Sequence, residues 1–277
     1  MPSQLPVGLV DAVLLRLGLG SAPTIDLAGL SRLYARWCQR VPFDNVLKLL
    51  HLREAWPGPL PGSNAADFFR LWLEYGTGGT CWAGNGALHD LVCALGFSSQ
   101  RGIATMMPTP EPRAPNHGTV VVNLDDGRFV VDASILSNVP LALDQMQGDG
   151  PLPRLTRLAG ATAILWRSPA APEGFPCRIE RIGVDDDEWD ARHQRTAAWS
   201  PFNFSVRARL NRGDDIVGYT DGARYAFRGG ESLATRSVDR AGRDAFLAEI
   251  GFDPDLVSRL PEDAATPPAP DDFHRSS

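Results

Sequence analysis

Cys81 stands directly after Gly78-Gly79-Thr80 and opens an apolar stretch that predicts a helix over roughly Trp82–Leu95. A thiol in the first turn of a helix lies among backbone N–H groups that have no intrahelical partner, at the positive end of the helix dipole. That field favours thiolate, the nucleophilic form of cysteine. The two preceding glycines let backbone or substrate come close to the sulfur. The competing reading is a buried, inert cysteine, because cysteine is among the most buried residue types. Cys93, mid-helix among Leu91, Val92 and Leu95, fits that competing reading, and so does Cys38 beside Trp37.

His117 and Asp132 supply what a nucleophilic thiol needs. GTVVVNL (118–124) and RFVVDAS (128–134) flank Asp125-Asp126-Gly127, a hairpin signal. An even-numbered loop places odd positions of the first strand on one face with even positions of the second. One face then carries His117, Thr119, Val121 and Asn123 with Arg128, Val130, Asp132 and Ser134. The other carries Gly118, Val120, Val122 and Leu124 with Phe129, Val131, Ala133 and Ile135. The first is mixed polar and the second apolar, which supports that parity and predicts His117 directly or nearly opposite Asp132. A carboxylate so placed can hold an imidazole in the tautomer that accepts a proton from a thiol.

The remaining histidines are weaker candidates. His51 is expected in a loop, His193 in a charged connector and His274 in the tail, while His89 lies about two helical turns beyond Cys81. Asp185-Asp186-Asp187-Glu188 reads as a solvated connector, and Arg212-Gly213-Asp214 as a hairpin turn. No GxGxxG after a strand, Walker loop, HExxH or GxSxG occurs, so neither a metal nor a nicotinamide site is indicated.

The elements that must position these groups fall into two textures. Leu9, Val10, Val13, Leu14 and Leu17 predict a first helix, stopped by Gly18 and Gly20. Asp26 caps a second helix with the stripe Leu27, Leu30, Leu33, Tyr34 and Trp37, ended by Pro42. A third is expected over Ala65–Tyr75, after a Pro- and Gly-rich loop at 52–64. From about 97 to 205 short β-type runs follow, including 161–168, 177–184 and 202–210. More hairpin strands and a helix over about Arg240–Ile250 come next. The stretch from Pro261 is Pro-rich and acidic, the composition of a disordered tail. Helices, then strands, then strands with a helix indicate α+β organisation.

Composition narrows the field of functions. With 277 residues and 43% hydrophobic positions the chain can bury a sizeable core in two or three lobes. Net charge −6 and a pI of about 5.4 argue against nucleic-acid or anionic-membrane partners. Lys48 is the only lysine; in a chain also rich in Ala, Gly and Pro this reads as compositional bias. Mean hydropathy is −0.16 and no apolar run approaches a membrane span. The N-terminal stretch lacks a basic region and a small-residue cleavage site. Four cysteines without a CxxC read as free thiols, which makes the cytoplasm the expected compartment.

At this point the sequence resembles the arylamine N-acetyltransferase family. The resemblance rests on Val41-Pro42-Phe43-Asp44-Asn45, Gly78-Gly79-Thr80-Cys81, Asn85, His117 leading a strand and Val131-Asp132 ending the next. The steps of 36 residues from Cys81 to His117 and 15 from His117 to Asp132 look like the family's spacings. Ser200-Pro201-Phe202 and Asp255-Leu256 look similar to its C-terminal lobe. The likeness runs over roughly residues 5–260. Four departures stand out. Thr77 and Ala83 replace the family's Arg and Glu around the cysteine, and both charges are absent together. Asp44 replaces a Glu. Ser134, Ile135 and Leu136 replace Gly-Phe-Gly after the aspartate.

The resemblance implies an N-terminal helical bundle with the nucleophile (1–97), a central antiparallel β-barrel-like domain with His and Asp (98–205), and an α/β lid (206–260), ahead of the 261–277 tail. It implies a Cys81–His117–Asp132 triad, with Phe43 and Ile135 at the substrate pocket. It further implies acetyl-CoA or another acyl thioester as co-substrate, no permanently bound cofactor, and a small-molecule amine as acceptor. The expected chemistry is ping-pong acyl transfer through an acyl-cysteine. The alternatives within this reading are an amide or lactam synthase fed by an acyl carrier protein and a transglutaminase- or papain-like hydrolase. A binding module without chemistry is the non-enzymatic alternative.

Overall fold

Three expected helices form where capping chemistry and apolar stripes place them. α1 (Val7–Leu17) ends at Gly18, which adopts φ 76°. α2 (Leu27–Arg40) begins at Asp26, whose carboxylate accepts from Gly29 N, and buries Leu30, Leu33, Tyr34 and Trp37. A two-residue strand, β1 (Phe43–Asp44), and a further helix, α3 (Val46–Arg53), precede α4 (Ala65–Tyr75). α4 stops at Gly76, where a Cβ would lie 2.0 Å from Gly251 O. α5 (Cys81–Ala94) is buried at every position from Cys81 to Val92. A helix enclosed all round has no amphipathic stripe, and this one forms the centre of the protein. The computed structural model describes residues 5–107, 114–145, 150–229 and 232–270.

Seven antiparallel strands follow: β2 (Ser98–Met106), β3 (His117–Leu124), β4 (Gly127–Val131), β5 (Leu141–Ala142), β6 (Arg154–Leu158), β7 (Ala161–Ser168) and β8 (Ala171–Ile182). Their order is β5-β4-β3-β2-β8-β7-β6, and the edge strands β5 and β6 approach each other, giving a nearly closed barrel. One face of β3 and β4 (Val120, Val122, Phe129, Val131) packs on Leu33, Trp37, Phe69, Leu88 and other residues of α1, α2, α4 and α5. The other face (Val121, Val130) fills the barrel with Ala104, Leu155, Ile164 and Cys177. The face expected to be mixed polar is therefore barrel interior.

α6 (Asp186–Arg195) leads to a second antiparallel sheet of β9 (Arg207–Arg212), β10 (Asp215–Thr220), β11 (Ala223–Arg228) and β12 (Ser232–Ser237). β1 joins it, with Phe43 opposite Arg209 and Asp44 opposite Ala208. α7 (Arg240–Glu249), α8 (Pro254–Ser258) and α3 pack against this sheet through Val46, Leu50, Ala208, Tyr219, Phe246 and Leu247. Among residues after Pro261, Asp263 accepts from Val206 N at 2.7 Å and also binds the Tyr219 hydroxyl. No helix among the described residues is long and apolar enough to cross a membrane.

Four expectations need correction. His51 lies on α3, not in a loop. Asp185–Glu188 is a helix start: Asp185 caps α6 by accepting from Glu188 N, and acids in a first turn suit the dipole. That also puts His193 on α6, buried. Residues 201–203 form a 3₁₀ turn, and the strand begins only at Arg207. Finally, the two-residue turn Asp125-Asp126 sets Leu124 opposite Gly127, a register two residues away from the expected one. The parity holds, so His117 and Asp132 still share a face, but diagonally.

Candidate active site

Backbone crowding before α5 fixes where Cys81 stands. A Cβ on Gly78 would lie 1.8 Å from Pro42 O, and one on Gly79 would meet Ala83 Cβ at 2.9 Å. The loop therefore runs flush against β1, bridging Gly79 to Phe43. Asp44 ties it down: Oδ2 accepts from Gly78 N (2.6 Å) and Oδ1 from Val46 N (2.9 Å). The shorter side chain thus braces the cysteine loop and the start of α3 together. Its burial pushes the carboxyl up to about 7 despite those two donors. Thr77 and Ala83 are both buried, with no charge at either position.

His117 opens β3 and Asp132 follows the last residue of β4. His117 Nε2 and Asp132 Oδ2 are 2.8 Å apart. Asp132 Oδ1 accepts from Ser134 N (2.8 Å), Ile135 N (2.9 Å) and Asn85 Nδ2 (3.3 Å). So surrounded by donors, the carboxylate is an acceptor toward the ring; Nε2 carries a proton and Nδ1 is left for the thiol. The Cys81 thiol hydrogen-bonds the same imidazole. Exposure is 6% for Cys81, 2% for His117 and 1% for Asp132, so the three meet away from bulk water. Burial alone would lower His117, but the Asp132 charge and hydrogen bond, with the Cys81 contact, raise it to about 10. Burial would raise Asp132; His117 and the two backbone donors instead hold it at about 2.

Asn85, one turn past Cys81, staples this arrangement. Its Nδ2 donates to Gly118 O (2.6 Å) and its Oδ1 accepts from Ala133 N (2.8 Å). One side chain thereby holds the residues next to His117 and Asp132 to the helix that carries Cys81. Tyr34 of α2 adds a second tie, its hydroxyl accepting from Asp132 N (3.0 Å) and donating to Asp132 O (2.8 Å). Gly118 is needed where β3 meets α6, because a Cβ there would lie 2.4 Å from the Trp189 ring.

Cys81 and His117 face a cavity of about 610 Å³ between the barrel and the second sheet. Phe43 lines it, edge-on to Phe202 at 5.4 Å. Ile135 does not: it is 1% exposed and packs inside the barrel with Val121 and Val130. The turn that gives Ile135 N to Asp132 points its side chain inward, and Ser134 lines the cavity in its place. Lys48, Arg192, Thr196, Arg207 and Arg209 also line it. None of these was singled out for the site from sequence; a lone lysine in an arginine-rich chain was the available signal for Lys48.

Cys93 departs from the inert role expected of it. It is partly exposed, with Sγ 3.2 Å from Ser99 Oγ and 3.7 Å from His89 Nε2, while His89 Nδ1 lies 2.9 Å from Asp90 Oδ1. Burial would raise its thiol, but those two neighbours bring it below the usual value. Cys38 and Cys177 are buried, and burial pushes Cys38 up to about 12. Among the described residues no cluster of three or more His, Cys, Asp or Glu could hold a metal ion.

Comparison with known proteins bears on the same residues. A family model described as N-acetyltransferase matches residues 26–149, which include Cys81, His117 and Asp132. The curated arylamine N-acetyltransferase of Mycolicibacterium smegmatis is 30% identical over 125 residues, 43% of each chain, so the alignment spans less than half of that relative. Solved structures extend the likeness in fold. The arylamine N-acetyltransferase of Salmonella typhimurium superposes with a TM-score of 0.75 at 15% identity, covering 92% of this chain and 98% of that one. The M. smegmatis enzyme gives 0.74 at 20%, covering 91% and 97%. The Mycobacterium marinum enzyme in complex with CoA gives 0.71 at 16%, covering 90% and 96%. With its ordered motifs inside the matched segment and its fold shared along nearly the whole length, the chain is similar to N-acetyltransferases over residues 26–149 and has the fold of the solved arylamine N-acetyltransferases.

Proposed function

We propose that the protein is a cysteine-dependent N-acyltransferase that moves an acyl group from acetyl-CoA, or another acyl thioester, to an amine. The observation that carries this reading is the 2.8 Å His117–Asp132 contact, with the Cys81 thiol on the same ring at the wall of a cavity. In the first half-reaction His117 Nδ1 takes the thiol proton as the sulfur attacks the thioester carbon. The donor C–S bond breaks, the Cys81 S–C bond forms, and the departing thiolate receives that proton. In the second, the amine attacks the acyl-cysteine, loses a proton to His117 and releases the Cys81 thiol. First-turn N–H groups of α5 are the oxyanion donors in this scheme.

Two further points support transfer. The cavity that Cys81 and His117 face has room for an acyl group and an amine beside the sulfur, which suits transfer. CoA bound to the M. marinum relative supports a CoA thioester as donor, whereas none of the comparisons supports an acyl carrier protein. In this reading residues 1–97 supply the nucleophile, 98–205 the imidazole and carboxylate, and 206–260 cover the cavity. Four free thiols fit a cytoplasmic enzyme. Intact mass after incubation with acetyl-CoA tests the assignment. One acetyl group is expected on the native protein and none on Cys81→Ala; an adduct that survives Cys81→Ala would refute the nucleophile.

A further inference from the structure

Of the cations lining the cavity, none of which the acyl-transfer scheme uses, two are buried. Lys48, on α3, is 6% exposed. An ammonium has three donors. Among the described residues Lys48 gives one to Thr196 Oγ1, at 2.9 Å, and meets no carboxylate. Arg209, 7% exposed, lies between the rings of Phe43 (5.3 Å) and Trp166 (4.6 Å) and hydrogen-bonds Tyr225; its Nε is unbonded, and among the described residues no ion pair to it is seen. The one acid lining the cavity among the described residues is Asp221, already bound by Arg207 at 3.3 Å and by Ser205 at 3.0 Å. A chain of net charge −6 thus places an excess of positive side chains in the cavity that Cys81 faces.

Burying a charged group without a counter-ion is costly, and folds normally avoid it unless a partner arrives. Burial draws Lys48 down to about 7, and the charge of the neighbouring Cys81 pulls the other way. Lys48 and Cys81 line the same cavity, so the ammonium faces the space that the transferred group and the attacking amine would occupy. Arg192 and Arg207, each with a side chain 26% exposed, lie nearer solvent and suit donor phosphates better.

We propose that Lys48 anchors a carboxylate carried by the transferred acyl group or by the acceptor amine, so that this enzyme works on carboxylate-bearing substrates. The proposal rests on the acyl-transfer reading for the identity of those substrates, but the anchor itself is separable from it.

The test compares native protein, Lys48→Met and Lys48→Arg. The donors are succinyl and butyryl thioesters of N-acetylcysteamine, which carry no phosphate, and the same two thioesters of CoA; the acceptors are 4-aminobenzoate and aniline. Native protein should favour the carboxylated member of at least one pair. Lys48→Met should lower kcat/KM for that member by about tenfold or more while leaving the neutral member nearly unchanged, and Lys48→Arg should retain the preference. Three results would overturn the proposal: no preference in the native protein, equal losses for charged and neutral members, or a loss confined to CoA thioesters. The second would mean a role in thiol activation or folding, and the third a phosphate contact. Calorimetry of 4-aminobenzoate and aniline with Cys81→Ser, with and without Lys48→Met, reads the anchor without chemistry. A protein that is never acylated but binds the carboxylate through Lys48 loses the transfer reading and keeps the anchor. One that is acylated but indifferent to Lys48 keeps the first and loses the second.

Discussion

Asp132→Asn preserves the shape of the side chain and reverses one hydrogen bond. Oδ1 can still accept from Ser134 N and Ile135 N, so the turn after β4 stays in place. The amide NH₂ then faces His117 Nε2 and can only donate. The ring must accept there, its proton moves to the nitrogen facing Cys81, and the imidazole no longer takes the thiol proton. Losing the carboxylate charge adds to this, because burial disfavours the imidazolium and the Asp132 contribution that offsets it is gone. General-base catalysis contributes about 10²–10⁴-fold, so acylation of Cys81 by acetyl-CoA should slow by that factor. Stopped acylation followed by intact mass gives the rate. The exchange also removes a pH-dependent share of stability. The share of His117, raised from 6.5 to about 10, is full below 6.5 and fades as pH rises through 10. The share of Asp132, lowered from 3.8 to about 2, is full above 3.8 and fades as pH falls through 2. The Tm gap between native and variant should therefore be widest between 3.8 and 6.5. Acylation within about threefold of native, in a folded variant, would refute the tautomer argument.

Two more outcomes follow from the surrounding bonds. Asn85→Ala strands Gly118 O and Ala133 N inside the protein and should cost about 2–5 kcal/mol in urea unfolding; a loss under about 1 kcal/mol would mean the staple is dispensable. Native-state alkylation should modify Cys81 and Cys93 and spare Cys38 and Cys177, leaving one label in Cys81→Ala; labelling of Cys38 ahead of Cys93 would contradict the neighbour effect of His89.

Capped helices and tight turns were legible in the residues because their signals are local. Asp26 and its stripe located α2, and the alternation around Asp125-Asp126 put His117 and Asp132 on one face. What escaped was set by distant packing. α3 is buried from Val46 to His51, in one cluster with residues of the second sheet, α7 and α8, so it shows no stripe. The acids at 185–188 looked solvated because nothing in their order distinguishes a connector from a cap. Ile135 held a position associated with the pocket, but the donors that Asp132 requires turn its side chain into the barrel. Lys48 was marked only by being the one lysine, and Arg209 carried no local mark; both enter the cavity wall through elements far apart in the chain.

β1 is two residues long, yet it is where β9 of the C-terminal sheet reaches the loop before Cys81. A gene cut back to residues 26–149 would still encode the thiol, the imidazole and the carboxylate. Its product would lack the strand that hydrogen-bonds along Phe43 and Asp44, and the nucleophile's loop would lose its backing. Separately expressed halves divided near residue 200 are accordingly the natural starting pair for a fragment-complementation reporter, silent apart and reactive at sulfur once reunited.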